Sequence, residues 1–338
     1  MAEPKPINLA LQGGGAHGAF TWGVLDTLLA DDRIEIAAIS GTSAGALNGA
    51  AVKAGLVHGS RAAARENLEW LWTQVGAVTD DRLTPWFDAV SPMAVSALIE
   101  ASPGYQISEG ISRAISPYMR PDSAALSLRR IVARFHYDEV CAADGPEFTI
   151  CATNVRTGKI RLFRGTDITT DAIMASACLP TLFPAVEIDG EAYWDGGYTG
   201  NPALYPLFER HLPRDILVVN INPLERPGVP RTAAEIQNRI NEISFNTSLL
   251  RELRAIAFVQ RLVRTGTLPE GAMKDVLVHM IADDALMRQL SVATKVWPNA
   301  AVLHQLRDAG RRAAEGFLDR DLDRVGVEST IDLAAMFG

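Results

Sequence analysis

The chain has 338 residues, 48% hydrophobic and 21% charged, a balance that excludes a disordered or fibrous protein. Its 32 Lys and Arg against 40 Asp and Glu give a net charge of -8 with both signs interspersed, which disfavours nucleic acid or an anionic membrane as an electrostatic partner. Cys141, Cys151 and Cys178 have no metal-ligand spacing and read as structural thiols of a reducing compartment, with no metal site. No apolar run is long enough to span a bilayer, and Met1 to Pro6 lacks the pattern of a signal peptide, so a cytoplasmic protein is expected.

Ile7 to Gln12 predicts a buried strand, Gly13-Gly14-Gly15-Ala16-His17-Gly18 a glycine loop, and Ala19 to Ala30 a helix with Phe20, Val24 and Leu28 at helical spacing. Ile34 to Ser40 predicts a second strand that runs into Gly41-Thr42-Ser43-Ala44-Gly45 and then a small-residue helix from Ala46 to Val57. Such a βαβα start is the pattern of a parallel sheet with helices packed on it. Trp70 to Pro121 is less regular, broken by Pro85, Pro92, Pro103 and Pro117 and carrying Trp86 and Phe87. It suits either a cap over a site or a surface insertion with its own small core. Further strands are predicted at Glu147 to Ala152, Ile160 to Phe163 and Ile216 to Asn222. From Ala233 to about Leu262, Ile236, Ile240, Ile243, Leu250, Leu253 and Ala257 predict a long helix with one buried face. An amphipathic helix on a membrane surface is the alternative. No linker or repeat divides the chain, so one large α/β domain with a helical C-terminal part is expected.

Gly41-Thr42-Ser43-Ala44-Gly45 has the spacing of a nucleophile elbow, where a serine on a sharp strand-to-helix turn needs neighbours without bulk. The plainer reading is a glycine-softened turn in which serine caps a helix. The strand before it and the helix after it favour the elbow, and a helix N-terminus there would stabilise an oxyanion, with the N–H of Ala44 as first donor. Gly14 and Gly15 are the expected remaining donors, because glycines let main-chain N–H groups approach a ligand closely. Gly13-x-Gly15-x-x-Gly18 also satisfies a dinucleotide fingerprint, but the second strand ends in Ser40-Gly41-Thr42-Ser43 rather than an acid, with Glu35 at its start instead. A P-loop is excluded because no Lys-Ser or Lys-Thr follows the glycines. Asp195, before Gly196-Gly197 and after a hairpin around Ile188-Asp189-Gly190, is either a turn former or a base.

Together the GGGAHG loop, the GTSAG elbow, the block Ala175 to Pro180 followed by Phe183-Pro184, and Asp195-Gly196-Gly197 followed by Asn201-Pro202 resemble the patatin-like phospholipases, from about Ile7 to Pro223. The resemblance implies a three-layer α/β/α fold with a mostly parallel central sheet and a helical C-terminal part. Residues 7–225 would form the catalytic domain, and residues 226–338 a helical extension packed on it. It implies Ser43 as nucleophile, Asp195 as its base, Gly14, Gly15 and Ala44 as the oxyanion hole, and Gly13, Gly18, Gly41, Gly45, Gly196 and Gly197 as supports. The implied reaction is hydrolysis of lipid acyl esters through an acyl-enzyme, without cofactor or calcium, in a stand-alone catalytic unit. A lipid or other acyl-ester substrate is the expected partner, with transient contact at a membrane surface. Where the family often has Arg or Lys before the last glycine of the loop, this chain has His17.

Two other readings stand beside this one. A conventional Ser-His-Asp esterase would need His211, His279 or His304, the histidines after Asp195, and His279 lies in a strand-like Val-Leu-Val-His-Met run. A non-catalytic lipid-binding or scaffold protein on the same body would have no need for the serine, the aspartate and the glycine loop together.

Overall fold

The computed structural model describes residues 3–77, 91–119, 123–269 and 271–337. Pro85, Trp86, Phe87 and Pro121 lie outside the described residues.

The first strand, β1 (Lys5–Leu11), is an apolar run whose Ile7, Leu9 and Leu11 enter one core and whose Ala10 enters another, as expected of a parallel strand covered on both faces. It pairs in parallel with β2 (Ile34–Thr42), and β2 in turn with β3 (Glu147–Asn154). Beyond β3 the sheet becomes antiparallel. Both β4 (Ile160–Arg164) and β6 (Glu191–Asp195) pair with β3 in that sense, and β5 (Val186–Ile188) forms a hairpin with β6. On the other side β1 pairs in parallel with β7 (Asp215–Asn220), and β7 with β8 (Leu277–Ala282). The order is β5-β6-β3-β2-β1-β7-β8, with β4 against β3.

Ahead of β3 run α1 (Gly18–Ala30), α2 (Ala44–His58), α3 (Arg61–Gly76), α4 (Pro92–Ala101), α5 (Pro103–Ala114) and α6 (Ser123–Val132). After it come α7 (Thr170–Ser176), α8 (Ala233–Arg264), α9 (Val292–Val296) and α10 (Ala300–Arg320). One face of the sheet shares its core with α1, α2, α3 and α10; the other is covered by Leu249, Leu253 and Ile256 of α8. These are the three layers expected. Helix α1 is buried on nearly every side because α10 packs over it, so its residues are apolar or small all round rather than in one stripe. From the irregular segment, Val95 of α4 enters the main core and Tyr105 of α5 stacks against Trp297 at 6.0 Å.

Two expectations are corrected. The part beyond residue 226 is not helical alone, since β8 joins the sheet; its Leu-Val-His-Met-Ile run sits buried beside β7. The buried face of α8 is also not the one its isoleucines mark, because Ile236, Ile240 and Ile243 are exposed. The buried line runs instead through Glu242, Phe245, Asn246, Leu249, Leu253, Ile256 and Gln260. Its polar members are all satisfied: Glu242 pairs with Arg226 at 2.6 Å, Asn246 bonds Gln12 at 2.9 Å, and Gln260 donates to the Val276 carbonyl at 2.7 Å. Partnered polar groups bury at little cost, so hydropathy alone mis-sets the rotation of this helix. Among the described residues no helix is long and apolar enough to cross a membrane.

Candidate active site

Strand β2 ends at Thr42 and α2 starts at Ala44, so Ser43 alone turns the chain, at φ 54° and ψ -120°. This conformation is rare for a residue with a Cβ and stores about 1–3 kcal/mol of strain. Gly41 and Gly45 make the turn sterically feasible. A Cβ on Gly41 would stand 2.5 Å from the Gly45 carbonyl oxygen, and one on Gly45 would meet that of Leu11. The turn is fixed by Ser176 of α7, whose hydroxyl accepts the Ser43 N–H at 2.9 Å and donates to the Cys151 carbonyl at 2.6 Å. Although Ser43 occupies the cap position of α2, its side chain makes no capping hydrogen bond.

Register brings Asp195 to this serine. Thr42 pairs with Cys151 and Asp195 with Ala152, so consecutive residues of β3 hold the ends of β2 and β6. The Asp195 main chain is tied on both sides, its N–H to the Cys178 carbonyl at 2.8 Å and its carbonyl to the Thr153 hydroxyl at 2.8 Å. The carboxyl is fully buried. Its Oδ1 accepts the Gly197 N–H at 2.7 Å, while Oδ2 has no hydrogen-bond partner. Burial pushes this carboxyl up to about 7; the Gly197 N–H and the Ser43 side chain beside it offset part of that shift. Gly196 and Gly197 fit against Cys151 and the Phe245 ring, with no room for side chains.

The glycine loop leaves β1 directly above the elbow: Gly13 abuts Ser43 and Gly18 abuts Ala44. Gly14 lies at φ 172° and ψ 32°, with Ile221 behind it, and Gly15 takes φ 58° with the Lys295 carbonyl where a Cβ would project. Among the described residues, the backbone N–H groups of Gly14, Gly15 and Ala44 donate to no protein acceptor. They are therefore available to a ligand, at a helix N-terminus that favours negative charge.

What holds this loop is a set of buried amides that the sequence reading missed, apart from noting Asn201-Pro202. Asn201 Oδ1 accepts the Gly13 N–H at 2.6 Å, and its Nδ2 donates to the Phe245 carbonyl at 3.1 Å. Asn222 Nδ2 donates to the Gly13 carbonyl at 2.8 Å, and Gln12 Oε1 accepts the N–H groups of Ile221 and Asn222 at 2.8 and 3.0 Å. Ser40 and Thr42 of β2 steady the Asn201 segment through hydroxyls that donate to the Ala203 and Gly200 carbonyls, each at 2.6 Å. The one available signal was compositional: buried strand ends that finish in Gln or Asn, at Gln12, Asn220 and Asn222.

Beside Ser43 opens a cavity of about 170 Å³ with Gly15, Ala16, Ala44 and Lys295 at the serine end and Leu47, Trp72, Val75, Leu128, Ile131, Leu179, Leu182 and Phe183 as apolar walls. A larger surface hollow, about 890 Å³ beside Arg254, Arg261 and Arg264, includes none of the candidate site residues.

The histidines lie elsewhere. His279 Nε2 bonds Asp215 at 2.9 Å at the start of β7, His211 Nε2 bonds Glu147 at 2.6 Å at the start of β3, and His304 tilts against Trp22. Both strand starts are at the opposite end of the parallel strands from Ser43, which follows the C-terminal end of β2. His17 is buried behind the loop, its Nε2 bonded to the Thr294 hydroxyl at 2.8 Å, and burial together with the nearby Lys295 holds its pKa well below the usual 6.5. Among the described residues no cluster of His, Cys, Asp or Glu could hold a metal ion, and the cysteines form no disulfide.

Among solved structures the chain is similar to VipD from Legionella pneumophila, with 15% identity, a TM-score of 0.43, and 94% of this chain and 67% of that chain covered. It is also similar to ExoU in its heterodimeric complex with SpcU from Pseudomonas aeruginosa, with 16% identity, a TM-score of 0.40, and 95% of this chain and 53% of that chain covered. The chain thus spans about half the length of the Pseudomonas chain. No curated protein matches it. The model of the Patatin-like phospholipase family matches residues 9–208, more than half of the chain and the stretch that holds the glycine loop, the elbow and the Asp195 turn. The protein belongs to the patatin-like phospholipase family.

Proposed function

We propose that the protein is a serine hydrolase of lipid acyl esters that works through a dyad of Ser43 and Asp195. The observation that carries this reading is the buried Asp195 carboxyl, whose Oδ2 has no close hydrogen-bond partner but which is approached by the side chain of Ser43, a serine held at positive φ whose hydroxyl is not engaged in capping. A buried acceptor without a partner is costly, and a proton from Ser43 removes that cost. In the reaction Ser43 Oγ attacks the ester carbonyl as its proton passes to Asp195. The oxyanion is met by the N–H groups of Gly14, Gly15 and Ala44, each worth about 3–4 kcal/mol in the transition state. Asp195 then protonates the leaving alcohol, and attack by water, with Asp195 again as base, frees the acid. The apolar cavity at Ser43 suits the acyl chain.

Residues 7–225 carry every group in this scheme. The C-terminal part completes the cavity through Lys295 and Val296. The test is hydrolysis of p-nitrophenyl esters of graded length and of phospholipid vesicles by the wild type and Ser43→Ala, with fluorophosphonate labelling alongside. Labelling and turnover that both vanish in Ser43→Ala support the proposal. A wild-type protein that neither labels nor hydrolyses would instead be a lipid-binding or scaffold protein.

A further inference from the structure

Helix α9, in the C-terminal part, lies outside residues 9–208, yet it grips the glycine loop at two consecutive residues. Thr294 bonds His17, and Lys295 Nζ donates to Asn222 Oδ1 at 2.6 Å. The orientation of the Asn222 amide is forced, because an ammonium only donates and a carbonyl only accepts. Its oxygen must face Lys295, and its NH2 must face the Gly13 carbonyl, which it reaches at 2.8 Å. A line of hydrogen bonds therefore runs from the ammonium through Asn222 to the carbonyl of the Gly13–Gly14 peptide. The N–H of that same peptide belongs to Gly14.

We propose that Lys295 is a positioning residue for the oxyanion hole: through Asn222 it fixes and polarises the Gly13–Gly14 peptide so that the Gly14 N–H is a stronger and better aimed donor. This inference rests on the hydrolase reading for its catalytic consequence, but not for the clamp itself. Hydrogen bonds in series polarise one another, and a positive charge at the far end of such a chain strengthens the donor at the near end. The preceding peptide, Gln12–Gly13, is held by Asn201, which accepts the Gly13 N–H. The main-chain carbonyl of Lys295 also packs against Gly15, so α9 sets both the charge and the position of the loop. Burial draws the Lys295 ammonium down to about 8, with Glu242 acting to raise it and Arg226 to lower it; it is still mostly charged at neutral pH.

Two measurements on the full chain test the proposal: hydrogen-deuterium exchange of the Gln12 to Gly18 amides, and kcat and KM on p-nitrophenyl butyrate. The variants are Lys295→Met, Lys295→Arg, Asn222→Asp and the Lys295→Met/Asn222→Asp pair. Lys295→Met is expected to speed exchange at Gly13 and His17, whose N–H groups are bonded to Asn201 and to the Gly14 carbonyl, by about fivefold or more. It should lower kcat about 10- to 100-fold with KM within about threefold. Lys295→Arg should recover most of both losses. Asn222→Asp, which removes the donor to Gly13, should reproduce them, and the double variant should be no worse than the poorer single one. If Lys295→Met does not fold, Asn222→Asp carries the same readouts. Unchanged loop exchange in a folded variant, or a loss confined to KM, overturns the proposal. Absence of esterase activity in the wild type would refute the hydrolase reading alone, and loop exchange would still decide the clamp.

Discussion

Gly13 donates its N–H to Asn201 Oδ1 at 2.6 Å, and Asn201 returns a bond from Nδ2 to the Gly13 carbonyl at 3.3 Å. This exchange ties the loop after β1 to the segment that follows Asp195, so the two halves of the site move as one. Asn201→Ala leaves the Gly13 N–H buried without an acceptor, at a cost of about 1–3 kcal/mol. Urea unfolding is expected to register that loss, with kcat falling about tenfold or more as the loop loosens. An Asn201→Ala protein with wild-type stability and turnover would contradict the coupling.

The burial of Asp195 sets both a pH profile and a stability effect. The proposed dyad needs Asp195 in its ionised form, so kcat/KM should fall on the acid side with an apparent pKa near 7. The folded pKa is raised above the unfolded value, so the folded state binds the proton more tightly. Stability is therefore lost as pH rises from about 4 to about 7, and the full cost of the buried charge is present above 7. Asp195→Asn should abolish turnover and raise the melting temperature, more at pH 8 than at pH 5. A variant less stable than wild type at pH 8 would show that the ionised carboxylate is stabilised by its surroundings.

Strain at Ser43 separates two substitutions that are alike in chemistry. Ser43→Ala keeps a Cβ at φ 54°, whereas Ser43→Gly relieves it. Both should be inactive, and thermal unfolding should place the glycine variant about 1 kcal/mol above the alanine variant. Equal stabilities would mean that the turn is unstrained.

The histidines provide the test against a triad. Because Asp195 titrates near the usual range of histidine, a pH profile cannot distinguish the two bases, but substitution can. His211→Gln and His304→Gln should leave kcat/KM within about tenfold, a change of less than about 1.4 kcal/mol. His279→Gln should do the same at low temperature while costing about 1–3 kcal/mol of stability, because its bond to Asp215 is buried. Any folded histidine variant that fell as far as Ser43→Ala would replace the dyad with a triad.

Sequence alone located Ser43, Asp195 and the glycine loop, because each sits where the chain must turn sharply and only small residues fit, and such steric demands are written locally. It also located β1, β2, β3 and β7, since apolar runs buried on both faces leave a plain pattern, and the family follows from the order of those motifs. The rotation of α8, the joining of β8 to the sheet and the amides of Gln12, Asn201, Asn222 and Asn246 were decided only by tertiary structure. The role of each depends on a partner far away in the chain: Glu242 is buried because Arg226 meets it, and Asn222 is an anchor because Gly13 and Lys295 lie on its two sides. A polar residue takes its meaning from the partner that satisfies it, and that partner is chosen by packing rather than by local spacing.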